Sequence, residues 1–475
     1  MRTSMNNDTT TEEPRSPPGE QRAAPRLVIA FEAGRAVAAE ASHLLSGVQT
    51  VLCGRGTHRR TERRVDHSPT ERQLLLDIPD RWMSGSHASL RLALGRWVIE
   101  DLKSRNGTFV NGKRLTRALE LNDGDVIELG HTFVVFRSSA PVEPGAVEQP
   151  PDNGREPGLI TLRPALDASL RSLERVAPNR GVFVMLRGET GTGKEVIARA
   201  LHKLSGRTGK LQAVNCAAIP EALVESELFG SVRGAFTGAE ERAGLVRTSD
   251  GGTLFLDEIG DFSLSSQASL LRVLEQQEVT PVGGTKPIKV DLRVVSATHR
   301  DLEEMVQQGK FRQDLLARLT GFTLTLPPLR ERREDLGLLT SALLTRHLEG
   351  RAAALTFGQL AARALFVYGW PLNIRELEKA LTRAAALADE NQIEVEDLPD
   401  ELQKALDEPP DLEEEPPLPP GKPVPPGELD RYQLVLELLK KHKGNVTAVA
   451  REMKKARMQI QRWLKRYSIN RAEFL

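Results

Sequence analysis

At 475 residues, with 39% hydrophobic and 27% charged positions, the chain is too long for one small fold and too apolar for wholesale disorder. Lys+Arg and Asp+Glu number 65 each, so the zero net charge excludes a uniformly basic or acidic protein and leaves any asymmetry local. Two distant cysteines, Cys53 and Cys216, exclude a disulfide framework and a zinc cluster, and no apolar run reaches the ~18 residues of a membrane span. A reducing cytoplasm and no membrane partner are the expectation.

Residues 1–25 are polar and Pro-rich without an apolar signal, and are expected to form a flexible tail. From 26 to 138, apolar and polar residues alternate in short runs, as at 89–94, 97–102 and 131–136. Asn106-Gly107, Asn111-Gly112 and Asn122-Asp123-Gly124 mark turns between them, which predicts an all-β sandwich. Gly54-Arg55, Ser84, His87 and Asn106-Gly107-Thr108 form an ordered constellation that resembles the forkhead-associated (FHA) domain. The resemblance implies a reader of phosphothreonine peptides. Arg55 would fork onto the phosphate, Ser84 would add a donor and Asn106 would bond the peptide backbone. Gly85 stands where that family carries a polar or basic side chain, and Arg105 is placed to replace it. His87 would brace the loop. The implied partner is a phosphothreonine protein or a Ser/Thr kinase.

Five prolines and three glycines make 139–158 a linker. In 159–400 apolar strand-like runs (182–186, 253–256, 292–296) alternate with helical periodicity, which predicts a parallel α/β sheet. Val196, Ile197, Ala200, Leu201 and Leu204 are expected on one buried helix face. From about 336 to 388 the pattern is helical only, and a helical lid is expected over about 326–400. Gly188-Glu189-Thr190-Gly191-Thr192-Gly193-Lys194 lies between an apolar strand and a helix, the context in which a Gly-rich loop cradles phosphates. Lys194 would neutralise the β/γ-phosphates of a nucleotide. Glu195 replaces the usual Ser/Thr magnesium ligand. Asp257 and Glu258 end an apolar strand; Asp257 would hold Mg2+ through water and Glu258 would orient the attacking water.

These motifs resemble the AAA+ ATPase domain of bacterial sigma-54-dependent activators across essentially all of 159–400. The family likeness carries further positions with it. Gly234-Ala235-Phe236-Thr237-Gly238-Ala239 looks like the loop that grips sigma-54. Asn215 resembles the polar switch that restrains the catalytic glutamate. Thr298, followed by His299, matches the first nucleotide sensor, and Arg375 in Trp370-Pro-Leu-Asn-Ile-Arg375 matches the second, with Leu372 where Gly is usual. Arg312 and Arg318 resemble arginine fingers that complete a neighbour's active site. The resemblance therefore implies a homo-oligomer, a hexameric ring when active and a dimer when inactive.

Nine prolines and seven acidic residues make 401–427 an extended linker. Residues 428–475 hold 12 Lys/Arg against five Asp/Glu. Two helical patterns, about 446–453 and 457–467, predict an all-α helix-turn-helix with Arg457, Gln459, Gln461, Arg462, Lys465 and Arg466 facing DNA and Ile460, Trp463, Leu464 and Tyr467 facing its core. The block resembles the Fis-type domain of the same activators and implies upstream enhancer DNA as a partner. Together the readings describe a multidomain activator that remodels sigma-54 RNA polymerase holoenzyme by ATP hydrolysis under FHA control. The alternative is a phosphopeptide-binding, DNA-bound repressor or scaffold with a vestigial ATPase.

Overall fold

The computed structural model describes residues 23–37, 41–65, 72–141, 155–156, 158–235, 240–348, 350–407 and 429–442, with isolated positions from 449 to 469. The first part is twelve strands: β1 (Ala23–Glu32), β2 (Ala41–Leu44), β3 (Thr50–Arg55), β4 (Arg60–Val65), β5 (Arg72–Ile78), β6 (Ala88–Ala93), β7 (Arg96–Asp101), β8 (Thr108–Val110), β9 (Lys113–Arg114), β10 (Leu119–Glu120), β11 (Val126–Leu129) and β12 (Thr132–Pro141). They form two six-stranded sheets, ordered β2-β1-β12-β11-β8-β9 and β10-β7-β6-β3-β5-β4. Alternate residues such as Leu27, Ile29, Leu74, Leu76, Leu90 and Ile99 interdigitate between the sheets in one buried cluster. The expected β-sandwich is therefore present.

The second part runs α1 (Pro164–Val176), β13 (Val184–Arg187), α2 (Lys194–Leu204), β14 (Leu211–Asn215), α3 (Glu221–Phe229), α4 (Leu245–Thr248), β15 (Thr253–Asp257), α5 (Leu264–Gln276), β16 (Glu278–Val279), β17 (Ile288–Lys289), β18 (Arg293–Thr298), α6 (Leu302–Gln307), α7 (Gln313–Leu319) and β19 (Phe322–Thr325). Its main sheet is parallel, ordered β14-β15-β18-β13-β19. Both faces are covered, which is why these strands read as continuous apolar runs. Helix α2 buries Ile197, Ala198, Ala200 and Leu201, whereas Val196 and Leu204 are 44% and 36% exposed. The buried stripe is thus rotated from the expected one; Leu204 sits at the helix end, and Val196 faces the incoming segment at Gly158.

A helical lid follows: α8 (Leu336–His347), β20 (Thr356–Phe357), α9 (Gln359–Val367), α10 (Asn373–Leu387), β21 (Gln392–Ile393) and α11 (Asp400–Asp407). Helix α11 extends past 401, where the acidic linker was expected to begin, because Leu402 and Leu406 pack into the lid core. The sandwich does not hang free. Phe31, Phe133 and Val135 from its β1 and β12 join Phe357, Leu365 and Phe366 of the lid in a single buried cluster. In the last block α12 (Leu429–Lys441) packs Val435, Leu438 and Leu439 on Val449 and Leu464. Leu464 and Tyr467 are buried, as their expected core positions require. Among the described residues no helix is long and apolar enough to cross a membrane.

Candidate functional site

The phosphate loop leaves β13 at Arg187 and enters α2 at Lys194, so the backbone N–H groups of the helix start face the loop. Gly188, Gly191 and Gly193 all have positive φ. Gly191 is additionally required by packing: a Cβ there would sit 2.2 Å from the Leu372 carbonyl oxygen and 3.2 Å from the Arg375 Cβ. Lys194 is 6% exposed and donates to the Gly188 and Glu189 carbonyls at 2.8 and 3.1 Å. Its Nζ also lies 3.8 Å from Glu258 Oε1, so the loop lysine and the strand-end acid share one site. Glu195, in contrast, is 54% exposed and pairs with Arg199 one turn along. Its carboxylate is engaged with Arg199.

Asp257 closes β15, and β15 pairs with β14 so that Asn215 stands beside Asp257. Burial pushes the Asp257 carboxyl up, Lys194 pulls it down and Glu258 pushes it up again. Its Oδ1 is buried without a hydrogen-bond partner. An orphaned anionic oxygen next to a phosphate loop fits a water-shelled divalent cation. No cluster of three metal-ligating side chains occurs among the described residues, so phosphate and water would complete the ion's shell. Glu258 sits at φ 56° and its Oε2 accepts from His299 Nδ1 at 2.7 Å and the His299 N–H at 3.3 Å. Asn215 Oδ1 instead accepts the Ala217 N–H at 3.0 Å. The side chain holding Glu258 here is thus His299, not Asn215. Thr298 is buried, and its carbonyl accepts the Gly188 N–H.

The lid closes on the loop through residues that the sequence pattern did not single out. Arg330 forks onto Glu189 at 2.6 and 2.9 Å, which with Asn373 holds that carboxyl below the usual range. Arg332 donates to the Thr192 carbonyl at 2.7 Å. Asn373 Nδ2 donates to Glu189 and Thr190, and its Oδ1 accepts the Leu329 N–H. Leu372 has φ −105°, so a side chain is tolerated there; positive φ falls on Trp370 and Asn373 instead. Arg375 stands beside Gly191 through its Cβ. Arg312 forks onto Asp314 at 3.0 and 2.6 Å, and Arg318 donates to the Leu274 carbonyl and lies over the Phe183 ring. None of the hydrogen bonds that they make to described residues reaches the chain's own Lys194 or Glu258. Of the expected sigma-54 loop, Gly234 and Ala235 form a turn by 283, while Phe236, Thr237, Gly238 and Ala239 lie outside the described residues.

At the end of the sandwich a cleft of about 480 Å³ is lined by Arg55, Arg81, Trp82, Met83, Ser84, Gly85, Arg105 and Asn106. Gly54 makes it possible: a Cβ there would collide with the Gly85 carbonyl oxygen at 2.0 Å. Ser84 Oγ accepts the Arg105 N–H at 3.0 Å, and Asn106 Nδ2 donates to the Trp82 carbonyl at 2.7 Å. Buried His87 accepts the Ser84 N–H on Nδ1 and approaches the Gly107 carbonyl with Nε2, bracing two loops at once. Three guanidinium groups around one cleft make an anion site. Arg81 is the member missed in the sequence, where nothing but its place before Trp82 marks it. Arg457, Gln459, Gln461, Arg462, Lys465 and Arg466 lie outside the described residues.

Comparison with known proteins gives matches to three family models: Sigma-54 interaction domain over 159–325, AAA+ ATPase lid domain over 330–415 and FHA domain over 54–130. The regulatory protein AtoC of Escherichia coli is 39% identical over 318 residues, covering 66% of this chain and 68% of that protein. The chain belongs to the sigma-54-dependent transcriptional regulators. The regulator ZraR of Klebsiella oxytoca is 48% identical over 245 residues, 51% of this chain and 55% of that protein. The chain spans about half the length of several such relatives, 55%, 58% and 46%. Among solved structures, NtrX from Brucella abortus in complex with ATP is 31% identical, covering 66% of this chain and 69% of that one at a TM-score of 0.47. This regulator joins an AAA+ core and lid to an FHA sandwich.

Proposed function

We propose that the protein binds and hydrolyses ATP with Mg2+ and uses the energy to remodel sigma-54 RNA polymerase at promoters, under control of phosphothreonine recognition. The carrying observation is the joint geometry of buried Lys194, orphaned Asp257 Oδ1 and Glu258 within one phosphate-loop site. In this reading Lys194 and the loop N–H groups hold the phosphates. A divalent ion at Asp257 supplies charge neutralisation for the phosphates. Glu258 orients water once His299 releases it, and Asn215, beside Asp257, is the polar switch that restrains it in another state. Thr298 and Arg375 sense the nucleotide, and Arg312 and Arg318 serve a neighbouring subunit of a ring. The 234–239 loop contacts sigma-54, residues 428–475 hold upstream enhancer DNA, and the Arg55–Ser84–Arg105–Asn106 cleft takes a phosphothreonine protein.

In-vitro transcription from a sigma-54 promoter tests the division of labour. Phe236→Ala is expected to keep ATP turnover and lose promoter opening, whereas Lys194→Ala loses both. Equal loss of turnover in the two variants contradicts the proposal. An inactive phosphate site with intact DNA and phosphopeptide binding would instead favour the scaffold alternative.

A further inference from the structure

The outer face of the sheet that carries β1, β11 and β12 packs on the lid. Phe133 stacks on Phe366 of the lid at 4.6 Å between ring centroids, and Phe31 meets Phe357 edge-on at 5.3 Å. Two ion pairs frame this apolar centre. Glu128, 2% exposed, takes both arms of Arg363 at 2.8 Å. Arg137 of β12 forks onto Glu334 at 3.0 and 2.6 Å and also reaches the Glu331 carbonyl. Domains joined by small polar interfaces move independently, but an apolar surface with buried, mutually bonded charges holds one geometry.

Both ends of this surface lead to a site. Glu334 lies in the connector between sheet and lid, two residues from Arg332, whose guanidinium holds the Thr192 carbonyl of the phosphate loop. At the other end, Asp80 accepts the Trp82 N–H, the His131 N–H and the Thr132 hydroxyl, and Trp82 stacks on His131 at 4.8 Å. The wall of the arginine-lined cleft is therefore bonded to the first residue of β12, the strand that carries Phe133 and Arg137. A second cleft of about 380 Å³ continues past Arg81 and Trp82, and its far wall is Thr356, Phe357 and Gln392 of the lid. Asn106 ties one amide N–H to the Trp82 carbonyl. Its second N–H and its Oδ1 remain for a peptide, so a bound peptide is joined through Asn106 and Trp82 to the wall that Asp80 links to β12, and it meets a docked wall differently from a released one.

We propose that the docked face of the FHA sandwich is a coupling surface, through which phosphothreonine-peptide occupancy and nucleotide occupancy change each other's affinity. The inference rests on the phosphothreonine reading for its ligand, but the docking half stands on nucleotide binding alone. Coupling between sites is reciprocal, and typical values change affinity by about 5- to 150-fold.

The experiment uses the full chain, fluorescent ADP and a long phosphothreonine peptide. Without peptide, Arg363→Ala and the paired Arg137→Ala/Glu334→Gln variant, which frees only the half-exposed Asp123 carboxylate, are each expected to shift ADP affinity by fivefold or more. Arg91→Ala, in an exposed pair with Glu100 on the other sheet, leaves it unchanged. In the unaltered protein, saturating peptide is expected to shift ADP affinity, and ADP to shift peptide affinity by the same factor. The interface variants should bring that factor to one while both ligands still bind. Unchanged ADP affinity in both interface variants, or a coupling factor of one in the unaltered chain when both ligands bind, overturns the proposal. A chain that takes no phosphothreonine peptide but keeps the ADP shift supports the docking and defeats the phosphothreonine reading instead.

Discussion

Two glycines one loop apart show how differently the same residue type can be constrained. Gly54 faces the Gly85 carbonyl oxygen with no room for a methyl group, while the space around a Cβ at Gly85 itself is open. Gly54→Ala is therefore expected to distort the cleft and abolish peptide binding, whereas Gly85→Arg should fold and strengthen phosphothreonine-peptide affinity by adding a fourth cation. Titration calorimetry with a phosphorylated and an unphosphorylated peptide distinguishes the two outcomes. His87 sets a further expectation. Burial lowers its pKa below the ordinary value near 6.5, against weaker upward pulls from the Gly107 carbonyl, Asp101 and Asp80. The unfolded chain therefore takes up this proton before the folded one does. Its contribution to stability is present above pH about 6.5 and is lost as pH falls below that. Protection of the Ser84 amide against hydrogen exchange, corrected for intrinsic pH dependence, should fall between neutral pH and pH ~5 and stay flat if His87 is not the brace. The Cys53 thiol, pushed up to about 12 by burial, and the Cys216 thiol, also raised, mark both cysteines as inert packing groups.

Helix α10 joins stability to chemistry at its first residue. Asn373 is buried at positive φ, and two of its three side-chain bonds tie the lid to Glu189 and Thr190 of the phosphate loop while the third takes the Leu329 N–H. Asn373→Ala should cost about 1–3 kcal/mol through stranded buried partners and also weaken nucleotide binding. Leu377→Ala, one turn on in the lid core, should cost ~2–5 kcal/mol through its cavity and leave nucleotide affinity unchanged in the folded fraction. Thermal unfolding paired with nucleotide titration checks both. This contrast also marks what the sequence could convey. Strand, glycine turn and helix around Lys194 are contiguous, and their pattern is local, so the phosphate loop was legible. Arg332 and Asn373 reach that loop from 140 and 184 residues away, and no period or spacing encodes such a pairing. The β-sandwich was legible from alternation because one face of each strand is buried between sheets. Its second buried face was not, since Phe31 and Phe133 read as ordinary strand apolars until the lid covers them. The His299–Glu258 bond escaped for a related reason: the two chain segments meet only where neighbouring strands β15 and β18 end together.

The active site of a single chain is incomplete if Arg312 and Arg318 serve a neighbour. Both arginines lie on or beside α7, and the guanidinium hydrogen bonds to described residues run to Asp314 and Leu274 rather than to Lys194 or Glu258. Arg312 is 41% exposed in an ion pair with Asp314, and an exposed pair of this kind is worth little, so a phosphate could win it at small cost. A head-to-tail interface that closes into a ring would place each finger in the next subunit's phosphate loop. Turnover per subunit should then rise with protein concentration. Lys194→Ala and Arg312→Ala should each be inactive alone. Mixed in equal amounts, they should recover activity, because a subunit with intact Lys194 meets an intact Arg312 at roughly a quarter of randomly formed junctions. An arginine acting within its own chain could not be rescued this way, since no subunit in the mixture carries both groups. Zero activity in the mixture, with ring assembly verified by sedimentation, would therefore place Arg312 in the same subunit's chemistry or outside the chemistry altogether.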